Sequence, residues 1–174
     1  MLSIDAWLDE KPYKELYDGV VHEKVSPMFA HGILMLKVGG LLSSWAGDRG
    51  AVAVELRVYL GEGRTLVPDV AFVSGQRLGR LSREEQERPP FAPDIVVEVR
   101  SPEDRERRIR RKTELYLTHG ATLVLNVDPS TRTVRVTYAD GEATLKAGET
   151  IRHEAFPDLQ IPVNDIFKSL DRQW

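Results

Sequence analysis

Between residues 28 and 45 the apolar positions Leu34, Val38, Leu41, Leu42 and Trp45 recur at helical spacing. His31 lies one turn before Leu34 on the same stripe. Ser26-Pro27 supplies an N-cap and a first helical residue for this helix. Gly39-Gly40 sits inside it, at a cost of about 1 kcal/mol per glycine relative to alanine. Close backbone packing is one way to offset that cost. Elsewhere the period is two. Tyr13 to Tyr17 and Val20 to Val25 flank Asp18-Gly19, a hairpin signal. Val52, Val54, Leu56, Val58 and Leu60 alternate with Ala53, Glu55, Arg57 and Tyr59, which predicts one strand with Glu55 and Arg57 on its second face. Gly61-Glu62-Gly63 turns the chain into a further strand over 66–73. The polar stretch Ser74 to Pro93 reads as a partly helical surface loop.

The run Asp94-Ile95-Val96-Val97-Glu98-Val99-Arg100 predicts a central strand buried on both faces. Ser101-Pro102-Glu103-Asp104 then reads as a helix start with acidic residues in the first turn, and Gly120 ends the helix after His119. Thr122 to Val127 is another β-branched run. Turns at Asp128-Pro129-Ser130 and Asp140-Gly141 lead into strands over 133–138 and 142–146, and a short terminal helix starts near Val163. Ser3 is expected to cap a short helix through Glu10. A strand–helix–strand unit among many strands predicts a mixed α/β domain of the α+β type with at least one parallel pair. No repeat or linker divides it, so residues 1–174 are expected to form one domain.

Composition narrows the chemistry. Of 174 residues, 41% are hydrophobic, 29% are charged and none is cysteine. Zero cysteine excludes disulfides, thiolate zinc sites, Fe–S clusters and cysteine nucleophiles. The longest apolar stretch, Met28 to Leu42, is broken by His31, Lys37, Gly39 and Gly40, so no membrane span is expected. The N-terminus lacks the features of a secretion signal, and a cytoplasmic protein is expected. The net charge is −3, which argues against a general nucleic-acid coat. Yet Arg100 to Lys112 holds seven basic and three acidic residues, a local +4. That segment is either a DNA-backbone patch or a solvated helix face with intrahelical pairs to Glu103, Asp104 and Glu106.

Three residues carry candidate chemistry. Glu98 interrupts an apolar strand, where an unpaired carboxylate is expensive. It marks an edge strand or a salt bridge to Arg100, which shares its face, or it is a metal ligand or general acid/base. Asp69 opens the apolar run Val70-Ala71-Phe72 after Pro68. Pro-Asp occurs three times, at 68–69, 93–94 and 157–158. Asp94 lies about 13 Å along the strand from Glu98, too far to share one ion, whereas Asp69 on a neighbouring strand can meet Glu98 across the ladder. Asp158 reads as a turn residue. Lys112 falls inside the apolar arc of Ile109, Leu115, Tyr116 and Leu117, while Arg107, Arg110 and Arg111 lie opposite. It is either a snorkelling lysine at the core margin or an ammonium aimed at the carboxylates of the preceding strand. Two carboxylates and an ammonium suit Mg²⁺-assisted phosphodiester hydrolysis.

Pro68-Asp69 followed by Glu98-Val99-Arg100 resembles the PD-(D/E)xK nuclease signature with its last position changed. The wider pattern resembles the Uma-two family of restriction endonuclease-like proteins. It runs through Tyr17-Asp18-Gly19, Ser26-Pro27 with His31, 67–73, 93–99, Ser101-Pro102, Lys112, Tyr116, Gly120, Val127-Asp128-Pro129 and Phe156-Pro157. The resemblance implies a restriction-endonuclease-like fold, a mixed sheet flanked by helices. It implies Mg²⁺ (or Mn²⁺)-dependent cleavage of DNA, with Asp69 and Glu98 as metal ligands and Lys112 in the place of the motif lysine. Arg100 stands where the superfamily usually has lysine and suits a bidentate phosphate contact. His31 matches a family histidine, read as a substrate contact or as a histidine satisfied by its neighbours. Glu15 and Glu23 on the hairpin are minor candidates for an extra acidic group.

Three functions follow as expectations. One is a Mg²⁺-dependent deoxyribonuclease. The second is an inert relative that binds DNA or protein, with Glu98 paired structurally to Lys112 or Arg100. The third is a hydrolase of another phosphate ester. A homodimer is expected for a duplex substrate, with Trp174 or the 133–146 hairpin as contact.

Overall fold

The computed structural model describes residues 13–24 and 28–171. The expected helix at Ser3–Glu10, the Ser26-Pro27 cap and Trp174 lie outside the described residues. Strands β1 (Lys14–Tyr17) and β2 (Val20–Glu23) form the expected hairpin, with Tyr17 opposite Val20. Asp18 and Gly19 have φ of 51° and 71°, the two positive values of a type I′ turn. Helix α1 (Phe29–Ala46) follows, then β3 (Gly50–Val54), β4 (Val58–Tyr59), β5 (Thr65–Leu66) and β6 (Val70–Ser74).

Two expected strands are split. The alternating stretch 52–60 breaks at Glu55, where φ is 50°, and its N–H turns back to Asp69 O at 3.1 Å. β3 and β4 therefore join different sheets, and Glu55 and Arg57 share no strand face. The stretch 66–73 breaks at Val67-Pro68-Asp69 because proline has no N–H for a ladder. The polar region after β6 holds two short helices, α2 (Gly75–Leu78) and α3 (Arg83–Glu87). Strand β7 (Ile95–Val99), helix α4 (Glu106–Thr118) and strand β8 (Leu123–Asp128) make the expected unit, with β7 and β8 parallel. α4 starts later than Ser101. Residues 101–105 form a turn in which Ser101 N–H donates to Asp104 Oδ2 at 2.8 Å, a side chain competing with helix for the backbone. Strands β9 (Thr133–Tyr138), β10 (Gly141–Leu145), β11 (Thr150–Ile151) and β12 (Ile161–Pro162) and helix α5 (Val163–Phe167) complete the fold.

Six strands form a mixed sheet in the order β10-β9-β8-β7-β6-β3, and a second sheet runs β2-β1-β5-β4. Strand parity divides the main sheet between two cores. Val70, Phe72, Ile95, Val97, Leu123 and Leu125 pack with Leu34, Val38 and Leu42 of α1. Val96 and Val124 pack with Leu115 and Tyr116 of α4 and with Tyr17, Val58 and Leu66 of the second sheet. Both faces are covered, which is why 95–99 reads as a nearly unbroken apolar run. Glu98 has the parity of Val96 and so faces α4. Pairing of Val70 with Val97 carries Asp69, one residue before β6, to the position opposite Glu98. No helix among the described residues is long and apolar enough to cross a membrane.

The glycines of α1 are not both explained by close packing. A methyl at Gly39 would meet Val70 Cγ1 at 3.8 Å, ordinary contact, and one at Gly40 would meet nothing. Gly50 is different, since an added Cβ would sit 2.2 Å from Val73 O of the paired strand. Gly40→Ala is expected to stabilise the protein by about 0.5–1 kcal/mol. Gly50→Ala is expected to destabilise it by about 1–3 kcal/mol through overpacking. Opposite shifts of the urea midpoint at constant slope check the pair.

Candidate active site

Three carboxylates, from β1, β7 and the entry to β6, converge under α4. Asp69 is 1% exposed. Its Oδ2 accepts the Val99 N–H at 2.7 Å and lies 3.2 Å from His31 Nε2, and its Oδ1 lies 2.6 Å from Lys24 Nζ. Burial alone would raise its pKa. The His31 hydrogen bond and the Lys24 charge outweigh burial and hold the carboxyl well below the usual carboxylate range. Glu98 Oε1 accepts Lys112 Nζ at 2.8 Å and the Tyr116 hydroxyl at 2.7 Å. Burial raises its pKa, Lys112 opposes, and the negative charges of Asp69 and Glu15 add to the rise. Glu15 Oε1 accepts the Val67 N–H at 3.0 Å and Lys112 Nζ at 2.9 Å. Here burial is outweighed by Lys112 and Lys24, and the pKa is lowered. Lys112 itself is buried, but Glu15 and Glu98 hold its ammonium protonated far above the usual lysine range.

Local sequence explains the arrangement. Lys112 and Tyr116 are four apart on α4 and therefore stack on one face, both reaching the strand that precedes the helix. Asn126, opposite Glu98 on β8, donates to Thr113 Oγ1 at 3.1 Å and ties the helix to the next strand. Asp94, the second Pro-Asp aspartate, accepts the Ser74 N–H at 2.8 Å and pairs with Arg77. Asp158, the third, occupies an exposed turn at φ 64°.

The structure brings Asp69, Glu98, Lys112 and His31 together and adds Glu15. Glu23 lines the same pocket, as does Arg100. Arg100 does not pair with Glu98. Its guanidinium lies 3.5 Å from Glu106 and 3.4 Å from Asp128, while Glu98 takes Lys112. The basic segment is largely neutralised, Arg110 by Glu106 and Glu142, Arg111 by Asp18 and Glu114. Arg108 departs from the outward face of that helix, donating to the Tyr17 hydroxyl at 3.0 Å and lying 3.7 Å from Glu15. Sequence reasoning missed two contacts. Tyr116 is legible in principle, since a buried tyrosine hydroxyl needs an acceptor and Glu98 is on the facing strand. Lys24 has no signal, because only the packing of the hairpin against 67–69 places it.

The donor set suits a hard divalent ion. Asp69 and Glu98 offer carboxylate oxygens. Lys112 and Tyr116 both bind Oε1 of Glu98, leaving Oε2 for another partner. Asp69 Oδ1 is buried with no aligned hydrogen bond, held only by the charge of Lys24. Among the described residues no three His, Asp or Glu are grouped for a metal. An ion held here would rest on these two carboxylates, one of which also carries Lys24 on Oδ1.

Residues 3–164 match the model of the Uma2 family, described as a putative restriction endonuclease. The fold is similar to the crystal structure of a putative nuclease belonging to DUF820 from Anabaena variabilis ATCC 29413. The TM-score is 0.85 and the identity 20%, over 98% of this chain and 99% of that one. No curated protein matches the chain.

Lys112→Met leaves Glu15 and Glu98 buried without their shared cation and is expected to cost about 3–5 kcal/mol in urea unfolding. Adding Glu15→Gln recovers part of the loss, and a double-mutant cycle with no coupling contradicts the bridge. Tyr116→Phe is expected to cost about 1.5–3 kcal/mol, the range for a hydrogen bond to a charged group.

Proposed function

The chain belongs to the Uma2 family, and on that premise we propose that it is a Mg²⁺- or Mn²⁺-dependent nuclease that hydrolyses DNA phosphodiester bonds. The observation that carries this reading is the cross-ladder placement of Asp69 and Glu98 with an ammonium fixed on the second carboxylate. Asp69 and Glu98 would hold the ion. When bound, it supplies polarisation of the phosphoryl group and a more acidic water. Lys112 holds Glu98 in place and faces the reacting phosphate as a positive charge in a site largely shielded from solvent, where such a charge counts most. Arg100, in the same pocket, provides a phosphate contact after loosening its pairs to Glu106 and Asp128. His31 orients Asp69 through Oδ2. Arg105 and Arg107 are exposed and have no ion-pair partner among the described residues, which suits contact with backbone phosphates. A homodimer would address both strands of a duplex.

One observation favours a second reading, an inert module that binds DNA or protein. Glu15, Asp69 and Glu98 are each paired with a lysine ammonium. Under that reading the cluster serves the fold alone.

Plasmid nicking separates the two. With Mg²⁺ or Mn²⁺ the wild type is expected to nick, and Asp69→Ala and Glu98→Ala to lose on the order of 10²-fold or more. Lys112→Ala should be similarly slow at a temperature where it remains folded. Activity that survives all three substitutions rejects the site, and an inactive wild type that still binds DNA favours the inert module.

A further inference from the structure

Lys24 and Lys112 are both ammonium groups on buried carboxylates, but they are held differently. Lys112 leaves the middle of α4 and bridges two carboxylates, at 2.9 Å from Glu15 and 2.8 Å from Glu98. Lys24 follows β2 at the end of the hairpin, where its N–H bonds Tyr13 O at 2.8 Å. Its Nζ has a single carboxylate, Asp69 Oδ1 at 2.6 Å, and one carbonyl, Val67 O at 2.7 Å. The Asp69 contact is an ion pair without hydrogen-bond alignment. Releasing Lys24 breaks one ion pair and one hydrogen bond and leaves Asp69 with His31, whereas releasing Lys112 breaks the ion pairs of two buried acids.

Charge balance points the same way. Glu15, Asp69 and Glu98 already face Lys24, Lys112 and Arg108, and His31 also lies on Asp69, so cations at least match the three buried carboxylates. A divalent ion entering this cluster would sit beside the Lys24 ammonium on the same carboxylate, and like charges at such distance repel strongly in a partly desolvated site. Either the ion stays out or the ammonium leaves.

We propose that Lys24 is the exchangeable cation of the site: its ammonium keeps Asp69 Oδ1 occupied, and a divalent ion binds there by displacing it. Lys24 thus sets the affinity for the ion, while Lys112 stays in place throughout. This rests on the metal-binding reading above.

Manganese binding tests it without reference to activity. Free Mn²⁺ is measured by electron paramagnetic resonance during titration of wild type, Lys24→Met and Asp69→Asn. Lys24→Met is expected to bind about tenfold tighter than wild type, and Asp69→Asn to lose binding. A gain below threefold, with binding still lost in Asp69→Asn, overturns the role of Lys24 and leaves the metal reading standing. Absence of binding in both wild type and Lys24→Met overturns both. Should Lys24→Met not fold, amine acetylation of the wild type decides, read by peptide mass spectrometry. Saturating Mn²⁺ is expected to raise labelling of Lys24 at least threefold and leave that of Lys112 unchanged. Unchanged Lys24 labelling overturns the proposal.

Discussion

An ammonium between two buried acids holds this molecule's parts in register. Lys112 touches Glu15 from the hairpin and Glu98 from the central strand while its own backbone belongs to the crossover helix. The hairpin, distant in sequence, and the consecutive strand β7 and helix α4 meet at one nitrogen. None of the three charges would remain ionised there alone, because transfer of an isolated charge from water into such a site is far costlier than its neutralisation. Together they do, and the arrangement resists rearrangement, since moving any one element exposes an unpaired charge to a low dielectric. The hydrophobic contacts around it stabilise the fold without specifying its geometry so narrowly.

Strand parity makes the bridge reachable. The central strands are buried on both faces, so their apolar residues alone do not distinguish the α1 side from the α4 side. Glu98 does. Its parity matches Val96 and not Val97, and on that side α4 offers it Lys112 and Tyr116. A register slip of one residue would turn Glu98 into the apolar core around Leu34 and Val38, with no cation to meet it. The polar residue thus fixes a register that the valines leave open.

This explains what the sequence can and cannot disclose. Glu98, Asp69 and Lys112 are legible because each violates a local pattern, a charge in an apolar run or in an apolar helical arc. The parallel unit, the hairpin and α1 follow from periodicity and turn residues. Glu55 is opaque because its positive φ interrupts a run whose alternation continues on both sides. The start of α4 falls later than composition implies, because Ser101 and Asp104 have the makings of a helix start but bond to each other. Arg100 shares a strand face with Glu98, yet the turn at 101–105 and the first turn of α4 bring Glu106 to it instead. Glu15 gives only a weak signal, and Lys24 none, because long-range packing of the second sheet decides both.

On the proposed metal-dependent reading, the ion pairs that make the cluster stable also occupy oxygens that the ion would need. A site that holds its acids ready for a divalent ion must keep them from repelling one another before the ion arrives, and the resident cations do that. If every one were held as Lys112 is, between two carboxylates, the ion would have nowhere to enter. If none were, Glu15, Asp69 and Glu98 would push one another's pKa upward and the site would fill with protons instead. On the proposed reading, one ammonium shared by two carboxylates and one held by a single carboxylate satisfy both demands. On that argument the difference between Lys112 and Lys24 matters more to function than the count of charges, and it lies in the number of carboxylates each lysine touches.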